Sequence, residues 1–294
     1  MKTNRDNLVE MSVMGEISHP AVRSPSPYRI SASGEPMVLP ATAGITYNVR
    51  VGDSATRWVA DHLEPAVTIR NRTGERSSGD NAGLNILACI GNAATVISGK
   101  AEGETGTVTG KHGGAEHVIV DFTREAMEKM APGDKILVRS RGLGLSFEDY
   151  PDVGVFNLDP DLLDAWGIEE EAGTLRIPVT HTIPSAVMGS GLGQDNTFKG
   201  DYDITLFDED TVGEYRLDQL RLGDMVAIID ADHRFGRIFR RGFVSFGIVI
   251  HGGSIMAGHG PGVTSLVAGS ADKLIPVVDS RANIASILEL RDDV

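Results

Sequence analysis

Residues 223–267 read GDMVAIIDADHRFGRIFRRGFVSFGIVIHGGSIMAGHGPGVTSLV. Apolar runs of strand length alternate there with short loops that carry Asp230, Asp232, His233, His251 and His259, and glycine surrounds both later histidines. β-branched and aromatic residues bounded by Gly, Asp and Asn turns predict strands. Strands that end in imidazole, carboxylate and bare backbone are what a small-molecule or metal site requires. The stretch therefore predicts a β-rich domain with a site at its strand ends.

The same punctuation extends outward. Residues 66–69, 94–97 and 117–122 are short β-prone runs between turn residues. Pro132-Gly133-Asp134 followed by an apolar run is echoed ninety residues later by Leu222-Gly223-Asp224 and its run. Gly-Asp supplies a tight turn, and the run behind it a buried strand. Residues 123–130 predict a helix that starts at Thr123 and stops before Pro132-Gly133, and short helices are expected near 161–166, 212–220 and 279–290. Residues 174–188 read as an apolar β stretch in which Pro178 and Pro184 exclude a centrally paired strand. The expected fold is mainly β with a few short helices (a β-rich α+β fold), in two β-barrel-like or sandwich-like lobes. Residues 1–40, rich in proline and serine, read as an extended arm; residues 41–150 form one β-rich lobe, and 151–294 a second that carries the site.

Composition removes several function classes. A formal charge of −14 opposes a phosphate backbone, so no nucleic-acid partner is expected. Aromatics make up 5% of the chain and offer no base-stacking platform. No apolar run reaches the roughly 20 residues of a membrane span. The opening MKTNRDNLVEMSVMGE lacks the apolar core of a signal peptide. A cytoplasmic protein with no membrane partner is expected, so the glycosylation pattern at Asn71-Arg72-Thr73 is read as chance. The single cysteine, Cys89, excludes an internal disulfide and a cysteine-rich zinc site. Its apolar neighbours predict a buried structural thiol.

Familiar motifs fail one by one. Gly189-Ser190-Gly191-Leu192-Gly193 has the wrong spacing for a dinucleotide fingerprint and leads into no apolar helix. Residues 105–111 end in Gly-Lys, but His112 stands where a phosphate loop needs Ser or Thr. No GxSxG elbow and no HExxH helix occur. No nucleotide cofactor is expected.

The remaining constellation centres on His251 and His259. His251 ends an apolar run before Gly252, and His259 lies between Gly258 and Gly260. A histidine that merely fills a core would not need the glycines on both sides of His259, which permit close approach by a ligand or by another backbone. Asp230 and Asp232 point the same way in an extended strand, where they could hold a divalent cation or orient a histidine. His251, His259, Asp230 and Asp232 are thus the expected ligands of a divalent metal (Zn, Mn or Mg), with His259, His251 and Asp232 as the catalytic groups. Arg237 and Arg241, in a cluster with Arg240, are candidates for clamping a substrate carboxylate or phosphate. Gly189, Gly191, Gly258 and Gly260 are candidates for lining the substrate site. His181, the pair Asp201 and Asp203, Asp80-Asn81, Asn92 and Lys111-His112 lie in similar polar, glycine-flanked surroundings, and for each of these a solvated turn is the preferred reading.

Two resemblances add to this. Residues 258–266, 235–251 and 189–204 (GHGPGVTSL, FGRIFRRGFVSFGIVIH and GSG…GDYDI) resemble a bacterial and archaeal family catalogued as domain of unknown function 4438. That resemblance covers nearly the whole chain beyond the arm and implies a multi-lobed β fold and an oligomer. The order TLRIPV, IPSAVMGSG, GDYDI is similar to the acetamidase/formamidase family, which implies amide hydrolysis. The histidine and glutamate that follow the loop in that family have no match in Gly193-Gln194-Asp195-Asn196. The expected function is metal-assisted hydrolysis, or a related lyase reaction, of a small polar amide or cyclic compound by a homo-oligomer. The alternative is a non-catalytic oligomeric protein that binds a small molecule.

Overall fold

Glycine-bounded apolar runs become strands throughout the computed structural model, which describes residues 1–20, 22, 26–73 and 79–294. The first lobe holds β1 (Met11–Ile17), β2 (Arg29–Ile30), β3 (Pro36–Met37), β4 (Ile45–Thr46), β5 (Ala66–Arg70), β6 (Ala93–Val96), β7 (Thr105–His112), β8 (His117–Asp121) and β9 (Lys135–Ser140). Its sheet runs β1-β9-β6-β7-β8-β5 and closes when β5 returns to β1 through Glu16↔Arg70 and Ile17↔Ile69. The result is a six-stranded barrel, with β4 added outside on β5. Closure satisfies the edge strands that an open sheet would leave bare. Alternation along β9 shows the cause: Ile136, Val138 and Ser140 are buried, with more accessible residues between them.

Because β1 is a barrel stave, part of the expected N-terminal arm is woven into the sheet. Its six-residue ladder with β9, from Met11↔Ser140 to Glu16↔Lys135, requires it. Residues 21 and 23–25 of that arm lie outside the described residues.

The second lobe contains β10 (Gly154–Val155), β11 (Glu169–Glu171), β12 (Thr174–Val179), β13 (His181–Pro184), β14 (Met225–Asp232), β15 (Ile238–His251), β16 (Gly262–Ser270) and β17 (Leu274–Val278). A five-stranded sheet runs β10-β16-β15-β14-β13, and a three-stranded one runs β11-β12-β17. Pro184 lies on the edge strand β13, but the expectation fails for Pro178: its strand β12 is the central one of the three-stranded sheet. The proline is tolerated because it lies past the end of β11, paired only with Val277 of β17. The turn-then-strand echo is real at atomic level. Asp134 Oδ2 accepts from the Ala131 N–H at 2.8 Å, and Asp224 Oδ2 from the Arg221 N–H at 2.8 Å. Each turn is followed by a buried strand, β9 in the barrel and β14 in the open sheet.

The helices are short: α1 (Gly79–Leu87), α2 (Arg124–Met127), α3 (Pro160–Ala165), α4 (Glu209–Tyr215) and α5 (Ile284–Ile287). Thr123 caps α2 as expected, accepting from the Ala126 N–H, and Asp159 caps α3 ahead of a proline at its first turn. No helix among the described residues is long and apolar enough to cross a membrane.

The lobes meet where β7 of the barrel packs on β15 and β16. Gly110 faces Ile250, and the Thr264 hydroxyl donates to the Lys111 carbonyl at 3.1 Å. The Lys111 ammonium is fully buried and spends its three N–H groups on Ile86 O, Asn157 Oδ1 and Phe198 O. At the ends of these strands the two lobes together enclose a cavity of about 580 Å³.

Candidate metal centre

Three strand ends and three loops deliver the side chains. In the β7–β8 hairpin His112 and His117 are paired opposite each other, so both imidazoles lie on one face. Both Nδ1 atoms donate to Glu64 Oε1, at 2.6 and 3.0 Å. The other oxygen of Glu64 accepts from the Ala43 N–H at 2.6 Å and the Thr68 hydroxyl at 2.9 Å. Two residues earlier, His62 sits in a left-handed turn (φ 54°) pinned by its N–H to the Gly253 carbonyl. Its Nδ1 lies 3.2 Å from Asp61 Oδ2. Asp61 is itself held by the Ser254 hydroxyl at 2.7 Å and Arg29 at 3.0 Å.

Asp201 and Asp203 come from an extended segment laid between Ser190 and residues 261–263. The Asp203 N–H donates to Ser190 O, the Ile204 N–H to Pro261 O and the Val263 N–H to Tyr202 O. Tyr202 and Ile204 are buried in the core. The two-residue period therefore turns both carboxylates to the opposite side, toward the histidines.

Two groups of donor atoms result. In the first, His259 Nδ1 lies 2.9 Å from Asp203 Oδ2 and 3.1 Å from His62 Nε2, while His62 Nε2 lies 3.7 Å from Asp203 Oδ2. In the second, His251 Nε2 lies 2.8 Å from Asp201 Oδ2, and its ring centroid is 4.2 Å from that of His112. The groups touch: His251 Nε2 is 3.7 Å from Asp203 Oδ1, and the His62 and His251 rings are 5.2 Å apart. A tetrahedral ion with bonds of 2.0–2.2 Å holds its ligand atoms about 3.3–3.6 Å apart. The separations in the first group straddle that value.

Electrostatics point the same way. The Gly252 carbonyl can only accept, so His251 Nδ1 carries the hydrogen of that 2.8 Å contact. Its Nε2 nevertheless faces a carboxylate. His62 likewise has Asp61 at one nitrogen and Asp203 at the other. A neutral imidazole has one N–H, so each ring must either carry a second proton or meet a cation at its inner nitrogen. Burial opposes a charge on His62, but Asp203 and Asp61 outweigh it and raise its pKa to about 9. Burial would push Asp61 up, yet hydrogen bonds from His62 and Ser254 hold it at about 2. Glu64 is held well below the usual carboxylate range, against its burial, by His117 and His112. Carboxylates behind histidines fix the tautomer and aim the free nitrogen at an ion.

Comparison with known proteins places this chain in a family. Profiles described as "Domain of unknown function (DUF4438), N-terminal" and "Domain of unknown function (DUF4438), C-terminal" match residues 28–164 and 165–288. The chain belongs to the DUF4438 family. A solved crystal structure, of a protein called TM1086, superposes with a TM-score of 0.91 at 44% identity over 99% of each chain. Comparison with curated proteins gives no match.

Within this DUF4438 chain, the expected ligands separate. His251 and His259 fall in the two groups, joined by Asp201 and Asp203 rather than by Asp230 and Asp232. A β-bulge between Ile229 and Ala231 is the reason. Asp230 sits in it at φ 58° and accepts from the Gly242 N–H, so the alternation that would align the two carboxylates is broken. Asp232 is instead paired with Arg234 and Arg240, each at 3.0 Å. Of the arginine cluster, Arg237 lines the cavity, and Arg241 is exposed away from its lining. His181 turns to Thr180 and joins neither group.

The glycines divide as well. Gly191 lines the cavity. At Gly189 and Gly260 another backbone fills the space that a side chain would need, the carbonyls of Gly258 and Ile204 respectively. Gly258 has open space but φ 76°. Sequence reasoning missed Asp61, His62 and Glu64 altogether. Their one local signal is Asp-His-x-Glu in a segment without periodicity.

Proposed function

We propose that the cluster is a two-ion centre and that the protein is a metal-assisted hydrolase of a small polar amide or cyclic amide. The observation that carries this reading is that buried His62 and His251 each face an acceptor at both ring nitrogens. The ligand sets would be His62, His259 and Asp203 for one ion, and His112, His251 and Asp201 for the other. Imidazole and carboxylate donors favour zinc or manganese over magnesium. Ions in such a site polarise a carbonyl and lower the pKa of water. Each set of three protein ligands leaves a coordination position for solvent or substrate, as hydrolytic sites require.

The cavity is of the size that takes a small molecule. The choice of an amide rests on the resemblance of residues 174–204 to acetamidase/formamidase. In the reaction, water adds to the carbonyl carbon, the C–N bond breaks and the departing nitrogen takes up a proton, yielding a carboxylate and an amine. A cytoplasmic homo-oligomer is the expected form, checked by mass in solution.

Elemental analysis tests the centre. The protein should hold about two divalent ions per chain, one for each ligand group, and His251→Ala and Asp203→Asn should each lose the ion of their own group. Release of amine from a panel of small amides should stop on chelation and return with zinc or manganese. A protein that takes up no ion even from excess zinc would end this reading and put non-catalytic binding first.

A further inference from the structure

Three cationic side chains reach the cavity: Arg29, Lys199 and Arg237. Two are matched by carboxylates, Arg29 by Asp61 at 3.0 Å and Lys199 by Glu116 at 3.2 Å. Arg237 is not. Only 2% of it is accessible, and no carboxylate lies at ion-pair distance among the described residues. Its Nη2 donates to the Lys199 carbonyl at 3.0 Å, while Nε has no acceptor at all. A guanidinium cannot shed its charge, and it carries five N–H donors in a fixed fork. Burying it with a single carbonyl for company is unfavourable unless something else completes the site.

The backbone holds this arginine in place. The Arg237 N–H donates to the Gln194 carbonyl at 2.8 Å, and the Gly193 N–H donates to the Arg237 carbonyl at 2.9 Å. Both bonds come from the glycine loop, which thus fixes the backbone of Arg237 in the β14–β15 turn. The carboxylates whose fields act on Arg237 are those of Asp201 and Asp203, and neither forms an ion pair with it. Both already face histidines and belong to the ion-binding groups. Once they are so engaged, nothing in the cavity balances Arg237.

We propose that the substrate carries a carboxylate and that Arg237 receives it beside the two-ion centre, with the scissile amide lying over the ions. The inference rests on the metal-centre reading above. One unmatched guanidinium suits one planar monoanion, taken by two parallel N–H···O bonds. A phosphate dianion would call for a second free cation, and the other two are already paired. Arg237 is then a specificity residue: a neutral amide of the same size leaves it unpaired, and sites built around a buried polar partner reject such analogues strongly.

Calorimetric titration of the zinc-loaded protein with malonate, malonamide and inorganic phosphate tests this. Malonate should bind about tenfold or more tighter than malonamide, and Arg237→Met should remove that preference while leaving zinc content unchanged. Arg237→Lys should recover part of it. Equal binding of malonate by Arg237→Met and the unaltered protein overturns the inference, as does a lack of preference over malonamide, or tighter binding of phosphate. If Arg237→Met does not melt cooperatively, Arg237→Lys and the malonate–malonamide comparison decide. A protein that takes up no zinc refutes the metal centre instead, and the same titration on the zinc-free chain then decides the anion site by itself.

Discussion

Gly262 and His251 are partners across the β15–β16 ladder, and the absent side chain of the glycine is what lets the histidine reach Asp201. A Cβ at position 262 would collide with His251 Nε2 and with Asp201 Oδ2 at once. The glycine therefore serves the geometry of the centre rather than a turn. Gly262→Ala should force the pair apart and empty the group formed by His112, His251 and Asp201, leaving the other group filled. Overpacking of this kind costs about 1–3 kcal/mol, so the fold should survive. Metal content falling by half with a cooperative melt retained is the expected result; full metal content would refute the role given to Gly262.

Glu64 acts one step behind the ligands. It is 2% accessible and takes hydrogens from both His112 and His117, so its charge sets the orientation of His112, which shares a ligand group with Asp201 and His251. Glu64→Gln keeps the shape but brings an N–H to one of the positions where His112, His117, Ala43 or Thr68 now donates. Loss of such a carboxylate behind a metal-binding histidine typically weakens metal affinity by about 10–100-fold. Competition against a zinc chelator should show a loss in that range, and unchanged affinity would mean that Glu64 only supports the fold.

The fold was legible in the sequence where local rules decide it: Gly-Asp turns ahead of apolar runs became β9 and β14. Within the site, His251 and His259 were legible because glycine around a histidine is locally odd. Asp201 and Asp203 carry a two-residue spacing like that of Asp230 and Asp232, and the sequence reading put the latter pair first. The bulge at Asp230 separates them, and it depends on a ladder between strands rather than on the residues nearby. His62 was hidden for another reason. It meets His259 from 197 positions away, and that meeting exists only because the barrel and the second sheet pack together.

The two carboxylate pairs can be told apart by experiment. Asp203→Asn removes a charge that hydrogen bonds from His259 and His62 hold well below the usual carboxylate range, against the effect of burial. It should abolish metal binding in its group. Asp232→Asn breaks the contacts to Arg234 and Arg240 instead. It should cost about 1–3 kcal/mol of stability, as for other charged hydrogen-bonded groups, and leave metal content intact. Metal analysis and chemical denaturation of both variants check this; metal loss in Asp232→Asn would restore that residue to the site.

His233 supplies a pH dependence of known sign. Burial, then the charge of Arg237, lowers its pKa from 6.5 to about 3, against the pull of Asp232. Its Nδ1 contacts the Ser265 hydroxyl at 2.7 Å, and its Nε2 has no partner. The folded chain therefore keeps this ring neutral at pH values where the unfolded chain protonates it. Unfolded protein binds the extra proton between about pH 6.5 and 3, so stability is whole above that window and falls as the pH drops through it. The slope from one such group approaches 1.4 kcal/mol per pH unit. His62 is shifted in the opposite direction, and its contribution is already complete below pH 6.5. Burial also lowers the pKa of His181, so both rings contribute in this window until the carboxylates begin to titrate. Denaturation of the metal-free protein between pH 6.5 and 5 should show a slope of this sign, and His233→Gln should reduce it. A slope unchanged by the substitution would assign the proton uptake to another group.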